Sequence, residues 1–445
     1  PAAMAAITKR TFVATDPVQA VEMTQLAIVH ATTGEPGPVA VVFHSRSLFG
    51  RMAEHDVRRI SSGLRVPPPA PCPDDGSLDA AAMALNRTHR VTILAGNGAR
   101  AAQTELLSLA EFLQAPIVTT SAGKGVVPET HELAFGVIGS FGHDAANRVL
   151  GAAEVILAVG TKISATDTMD EHPGLIDGKR QTILQIDVEP LNLGWTQHVK
   201  HPLLGRAQDV LPLLGARITD GAGYRTPDWA NEIRSMARSL AVPELIEGDR
   251  VNPRALAALL ADVLPDNSVV TCDAGENRLF MLHDYRVRPG GIIIQPNGGG
   301  GMGYAVPAAL AATYALPGRL PVAVLGDGGY SMSLHALMTA VEHQRHLLVV
   351  VMDNQALGWV LHGQGERPFM STFADFDLAA IAGSIGCTAT VAHTRQEIAE
   401  AVERATIEPA VHVVVVPVSL SESFITLRSP MAGASHEEVG AGLDD

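Results

Sequence analysis

Gly326-Asp327-Gly328 follows the apolar run Pro321–Leu325, and Asn354 stands 27 positions after Asp327, just past a second apolar run, Leu347–Val351. The stretch between them reads as a turn, a helix (334–344) and a strand (347–352). That order returns the chain to the same edge of a parallel sheet, so a carboxylate and an amide oxygen meet at the carboxyl ends of two strands. Two hard oxygens beside a glycine turn suit Mg²⁺ carrying a diphosphate, and the Ala356 carbonyl, two phosphate oxygens and a water would complete an octahedron. Gly328 and Gly329 let the backbone approach a phosphate closely, and the helix beyond offers free N–H groups. Asp327 alone would read as a helix cap. The matched Asn354 moves the reading to a metal.

Outward from this pair the sequence reads as α/β. Helix 253–264 leads to a strand, 268–272, ending at Asp273-Ala274-Gly275. A glycine run, Gly298–Gly301 with Gly303, precedes the Ala-rich helix 306–314. Helices 374–386 and 396–405 and the strand 411–418 follow. Met302, held between Gly301 and Gly303, is a candidate wedge beneath a bent ligand; filling a core gap is the plain alternative. An earlier block alternates strands (91–95, 116–120, 155–160, 182–187) with helices such as 101–113 and 145–150. Such alternation implies parallel sheets with helices on both faces. The expected fold is therefore a succession of doubly wound parallel-sheet domains: 1–50 the end of a first, incomplete domain; 51–77 a linker; 78–218 a central α/β domain; 219–250 a second linker; 251–420 the metal and diphosphate domain; 421–445 a polar tail, which sequence leaves open as disordered or a lid. In the opening segment one helix (16–30) and one strand (39–43) cannot form a core alone, so the rest is expected to be missing or supplied by another chain.

Hydrophobic residues make up 47% and charged residues 18% of 445 positions, a globular balance. The net charge of −15 argues against nucleic acid or an anionic membrane as partner. No apolar run reaches the length of a membrane span, and no signal peptide is read at the start. Cys72, Cys272 and Cys387 are widely spaced without a metal pattern, which fits a reducing, cytoplasmic setting.

The motifs together resemble the thiamine-diphosphate enzyme superfamily, on its acetolactate synthase and benzoylformate decarboxylase side. The carriers are Gly326-Asp327-Gly328 through Asn354, Gly300-Gly301-Met302-Gly303-Tyr304-Ala305-Val306-Pro307-Ala308-Ala309, and Asn354-Gln355-Ala356-Leu357-Gly358. Leu94-Ala95-Gly96-Asn97-Gly98, 119–125 and 183–190 resemble the central domain, and 8–42 the end of the pyrimidine-binding domain. The resemblance implies that Asp327, Asn354 and the Ala356 carbonyl hold Mg²⁺, with Gly328, Gly329, Leu357 and Gly358 around the diphosphate. It places Glu276 and Asn277 at polar diphosphate contacts, although Glu276 departs from the usual neutral residue. The Gly300 carbonyl would meet the aminopyrimidine, and Met302 would hold the cofactor bent. The implied activity is 2-keto acid decarboxylation with carboligation. Simple non-oxidative decarboxylation is the alternative, and a non-catalytic cofactor-binding scaffold is the rival of another class.

Two departures bear on that activity. The family's activating glutamate belongs to the early pyrimidine domain, and neither Glu22 nor Glu35 is a credible substitute. The chain is therefore expected to be inactive without a domain that supplies it. In the substrate pocket the bulk sits at Trp359 and not at Gly363, the reverse of acetolactate synthases, which implies a different donor or acceptor. The expected assembly is a homodimer or homotetramer, or a hetero-oligomer with a separate pyrimidine-domain chain. His362 reads as a solvated loop histidine, with proton shuttling as the less favoured role. FAD is possible in the central domain by resemblance, but Asn97-Gly98 is no fingerprint for it.

Overall fold

A computed structural model describes residues 1–56, 70–219, 228–247 and 249–432. The greater part of the first linker expected from sequence, part of the second, and tail residues 433–445 lie outside the described residues.

Sixteen strands are described: β1 (Arg10–Ala14), β2 (Val39–Phe43), β3 (Val91–Ala95), β4 (Ile117–Thr119), β5 (Ala134–Val137), β6 (Val155–Val159), β7 (Thr182–Asp187), β8 (His201–Leu204), β9 (Ile246–Glu247), β10 (Arg250–Val251), β11 (Val269–Cys272), β12 (Ile292–Ile294), β13 (Pro321–Gly326), β14 (Leu347–Asp353), β15 (Thr388–Val391) and β16 (Val411–Pro417). They build two six-stranded parallel sheets, β5-β4-β3-β6-β7-β8 and β12-β11-β13-β14-β16-β15. β1 and β2 form a separate parallel pair.

Both large sheets are buried on both faces, which is why their strands are runs of Val, Ile and Leu without alternation. In the second sheet Val322, Val324, Leu348 and Val350 face one apolar core, while Ala323, Leu325, Val349 and Val351 face the other. Each fully buried side chain of this size contributes about 1.5–3 kcal/mol, so the central strands β13 and β14 are the best anchored part of the domain. Asn252 caps the Pro253–Val263 helix by accepting from the Arg254 and Ala255 N–H groups, with Pro253 at the first helical position. A buried ion pair, Lys124 Nζ to Glu129 Oε2 at 2.7 Å, joins the two sheets' domains, because Glu129 also accepts from the Val287 N–H at 2.9 Å.

Several elements differ from the sequence reading. The helix after the Gly-Asp-Gly turn begins at Asp327 itself and runs to Glu342, not from residue 334 to 344. β1, β5, β8, β9, β10, β12 and β15 are additional strands. Residues 421–432 include a short helix, Phe424–Leu427, that lies against the rest of the chain. No described helix is long and apolar enough to cross a membrane.

Chain order reverses between β3 and β6 in the first large sheet and between β11 and β13 in the second, where β15 also lies outside β16 at the far edge. In open α/β sheets the crevice for a ligand opens at that point, beyond the carboxyl ends of the strands.

Candidate functional site

At the β11/β13 switch point, Asp273 follows β11 and is fully buried. Its carboxylate accepts from the Gly303 N–H at 2.9 Å and the Tyr304 N–H at 2.8 Å, which pins the end of the glycine run to the sheet. Gly329 abuts the same carboxylate: a Cβ there would sit 2.0 Å from Asp273 Oδ2. Only glycine fits, so the helix starts tightly against the strand end. In sequence, Asp273 stands at a strand end where ligands bind in open α/β sheets; its grip on the glycine run shows only in the structure.

Asp327 and Asn354 do come together. Asp327 Oδ1 accepts from the Gly328 N–H at 2.7 Å, and Oδ2 accepts from the Ala356 N–H at 3.2 Å. Asn354 Oδ1 accepts from that same Ala356 N–H at 3.0 Å. Two side-chain oxygens thus converge on one backbone donor. Gln355 between them takes a left-handed conformation (φ 59°), sparsely used by residues with a side chain and frequent where a turn serves a site. Burial pushes the Asp327 carboxyl up to about 7; the Gly328 N–H opposes that rise, and the negative charge of Asp353 adds to it. Asp353, at the end of β14, was not singled out in sequence.

Crowded, buried carboxyl groups of this kind are what a bound cation relieves. Among the described residues no group of three His, Cys, Asp or Glu side chains could hold a metal. A cation at this place would rest on one carboxylate with amide and carbonyl oxygens, a donor set that suits Mg²⁺. The residues present fit the group.

The glycine run is open. Nothing lies within 4 Å of where a Cβ would stand on Gly298, Gly299, Gly300 or Gly301, and Gly300 takes φ 63°. Met302 is partly exposed. A Cβ on Gly328 would meet the Met302 methyl at 2.9 Å and Leu357 Cδ2 at 2.8 Å, and one on Gly358 would meet Glu276 Oε2 at 2.5 Å and Asn354 Nδ2 at 3.2 Å. Met302, Gly328, Asn354, Leu357, Gly358 and Glu276 therefore share one place at the sheet's carboxyl edge.

Other expected site residues are engaged differently. Asn277 turns back into the sheet and donates to the carbonyls of Asp273 (3.3 Å) and Val324 (3.4 Å). Glu276 pairs with His362, whose Nδ1 is 2.9 Å from both carboxylate oxygens. His362 is thus a half-buried partner on the Gly358–Gln364 helix and not a solvated loop residue. Trp359 is enclosed by aromatic rings, stacked on Phe424 (5.1 Å, 9°) and edge-on to Phe141 (5.4 Å, 77°). Gly363 is exposed with open space around it. Glu35 forms an ion pair with Lys162 at 2.9 Å, far in sequence from the site.

The switch point of the first sheet is shut. A Cβ on Gly96 would lie 2.3 Å from the Gly160 carbonyl oxygen, and one on Gly98 would lie 2.8 Å from Gly160 Cα. These glycines serve backbone-to-backbone packing. A cleft of about 510 Å³ lies at the domain junction and is lined by Lys124, His143, Arg234 and His283; it does not include Asp327 or Asn354.

Residues of both large sheets match families of known proteins. Residues 78–214 match the central domain of thiamine pyrophosphate enzymes, and residues 273–416 match their C-terminal TPP-binding domain. A probable acetolactate synthase large subunit of Methanocaldococcus jannaschii is 30% identical over 371 residues, 80% of this chain and 62% of its own length. A counterpart from Methanococcus aeolicus is 28% identical, covering 90% of this chain and 70% of the relative. The acetolactate synthase isozyme 3 large subunit of Escherichia coli is 27% identical, covering 84% and 67%. The chain spans roughly two thirds of the length of these relatives. With the central and C-terminal family domains both matched, the chain belongs to the thiamine pyrophosphate enzyme superfamily.

Proposed function

We propose that this chain anchors thiamine diphosphate through Mg²⁺ and serves 2-keto acid decarboxylation with carboligation, as the names of its acetolactate synthase relatives suggest. The observation that carries the reading is the convergence of Asp327 and Asn354 oxygens on the Ala356 N–H at the sheet's switch point. Asp327, Asn354 and the Ala356 carbonyl would hold the cation, and the N–H groups of Gly328 and Gly329 would face the diphosphate. Met302 and the Gly300 carbonyl would meet the aminopyrimidine end. Bound thiamine diphosphate supplies an electron sink for loss of CO₂ from the keto acid.

This chain's own residues orient and shield. Asp273 holds Gly303 and Tyr304, and through them fixes where Met302 stands. Leu357 and Met302 lie against Gly328 at the start of the Asp327–Glu342 helix. In this reading a pyrimidine domain is contributed across a subunit boundary, within a homodimer, homotetramer or hetero-oligomer.

A different keto acid or acceptor from that of acetolactate synthases is favoured by the closed aromatic cluster at Trp359 and the empty space at Gly363. Calorimetric titration with thiamine diphosphate, with and without Mg²⁺, tests the anchoring. Mass detection of products from a panel of 2-keto acids tests the chemistry. Binding that ignores Mg²⁺ would sink the reading.

A further inference from the structure

Glu276 is the residue whose contacts the proposed site does not use. It opens the Glu276–Asp284 helix beside Gly358, yet its carboxylate engages His362 and the main chain of residues 419–427. His362 Nδ1 is 2.9 Å from each carboxylate oxygen, and the Phe424 N–H donates to Oε1 at 2.8 Å. His362 Nε2 lies 3.2 Å from the Leu420 carbonyl, which can only accept. A bond to that carbonyl uses the tautomer with hydrogen on Nε2. The Glu276 side chain is 4% exposed and that of His362 17%. Burial pushes the Glu276 carboxyl up, and the bonds from Phe424 and His362 pull it back.

These bonds fix a strap of chain that crosses between domains. The Ser419 N–H donates to the Val251 carbonyl at 2.9 Å, and Arg238 donates to the Thr426 carbonyl at 2.9 Å. The Ser429 N–H donates to the Ser140 carbonyl of the central domain at 2.7 Å, and Asn147 donates to Ser429 Oγ at 3.1 Å. Phe424 on the strap stacks on Trp359 of the Gly358–Gln364 helix, with Phe141 of the central domain edge-on to Trp359. Glu276 bonds both the strap and this helix while lying against Gly358, and His362 adds a direct bond to the Leu420 carbonyl.

We propose that Glu276 is a positioning residue that latches the 419–429 strap onto the Gly358–Gln364 helix, and so couples docking of the central domain to the shape of the diphosphate site. The ligand's identity rests on the function proposed above; the latch itself does not. Without the carboxylate, the Phe424 N–H is left unpaired in a covered place and His362 loses its Nδ1 partner, a penalty larger than the value of either bond. The strap then opens, Trp359 loses its stacked ring, and Leu357-Gly358 loses its backing against Gly328 and Asn354.

The test uses the full chain with Trp195→Phe and Trp229→Phe, leaving Trp359 as the single emitter of three tryptophans. In Glu276→Ala, amide-exchange protection of residues 419–428 is expected to fall about tenfold, while that of 91–119 holds. Trp359 emission shifts to longer wavelength, and the Kd for thiamine diphosphate with Mg²⁺ rises about tenfold. Glu276→Gln keeps an acceptor for Phe424 and a donor for His362, and restores most of the protection. Phe424→Ala opens the same strap with Glu276 intact. Unchanged protection and emission in Glu276→Ala overturns the latch, as does a loss of protection spread evenly over the chain. Failure of the unsubstituted protein to bind the cofactor would overturn the proposed function instead, and leaves the exchange measurement to decide the latch.

Discussion

The two six-stranded sheets share one architecture and differ at the point where chain order reverses. Between β3 and β6, Gly96, Gly98 and Gly160 press backbone against backbone. Between β11 and β13, the glycines instead border buried carboxylates and empty space: Gly329 against Asp273, Gly328 beneath Met302 and Leu357, Gly298–Gly301 against nothing. A glycine-rich strand end is therefore not in itself a ligand site. What separates the two is the presence of buried, hydrogen-bonded carboxylates that need a counter-charge.

The widest break in that comparison would come from Gly160→Val. Gly160 takes φ 60°, and a Cβ there would lie 2.4 Å from Gly98 C. Strain and overpacking together should cost about 4 kcal/mol, read as a fall in the urea midpoint; a tolerated valine would mean that the first mouth is not closed. Next, Asp327→Ala should weaken Mg²⁺-dependent thiamine diphosphate binding about a hundredfold, or about 2.7 kcal/mol, in calorimetric titration. Equal affinity would place the ligand elsewhere.

A third measurement follows the pH dependence of the ligand-free chain. The folded pKa of Asp327 stands near 7 against an ordinary 3.8. The folded state then holds a proton that the unfolded state has lost, so stability falls as pH rises from about 4 through 7. Asp327→Asn should flatten that decline. Mg²⁺ should raise the melting temperature more at pH 8 than at pH 5, by roughly 2–4 °C for each kcal/mol of stabilisation. The smallest effect belongs to Gly301→Ala: with open space around it, thermal stability should move by less than about 0.5 kcal/mol, while cofactor affinity drops a few-fold. Equal insensitivity in both properties would remove the glycine run from the site.

Much of this was legible in sequence, because buried parallel strands are unbroken apolar runs and their ends carry the polar residues. Asp327 and Asn354 were readable since each stands a few residues past such a run. The start of the Asp327–Glu342 helix was not: Gly328 and Gly329 have poor helix propensity, and only close packing on Asp273 makes the turn helical there. Asp273 and Asp353 look like ordinary strand-end residues until register sets them beside their partners. The Glu276–His362 pair spans 86 positions and depends on how a helix and the 419–427 segment meet, which no periodicity encodes. Trp359 was readable as a bulky residue near the pocket, but its enclosure by Phe141 and Phe424 depends on docking between domains.

The Asp273 carboxylate, bonded to amides 30 and 31 positions away, also bears on how the chain folds. Those bonds close a loop that contains the Glu276–Asp284 helix and β12, so they belong to non-local contacts that close after the local helices have formed. Recovery of cofactor binding after dilution from denaturant should accordingly trail recovery of helical circular dichroism, which makes ligand uptake a clock for completion of the second sheet.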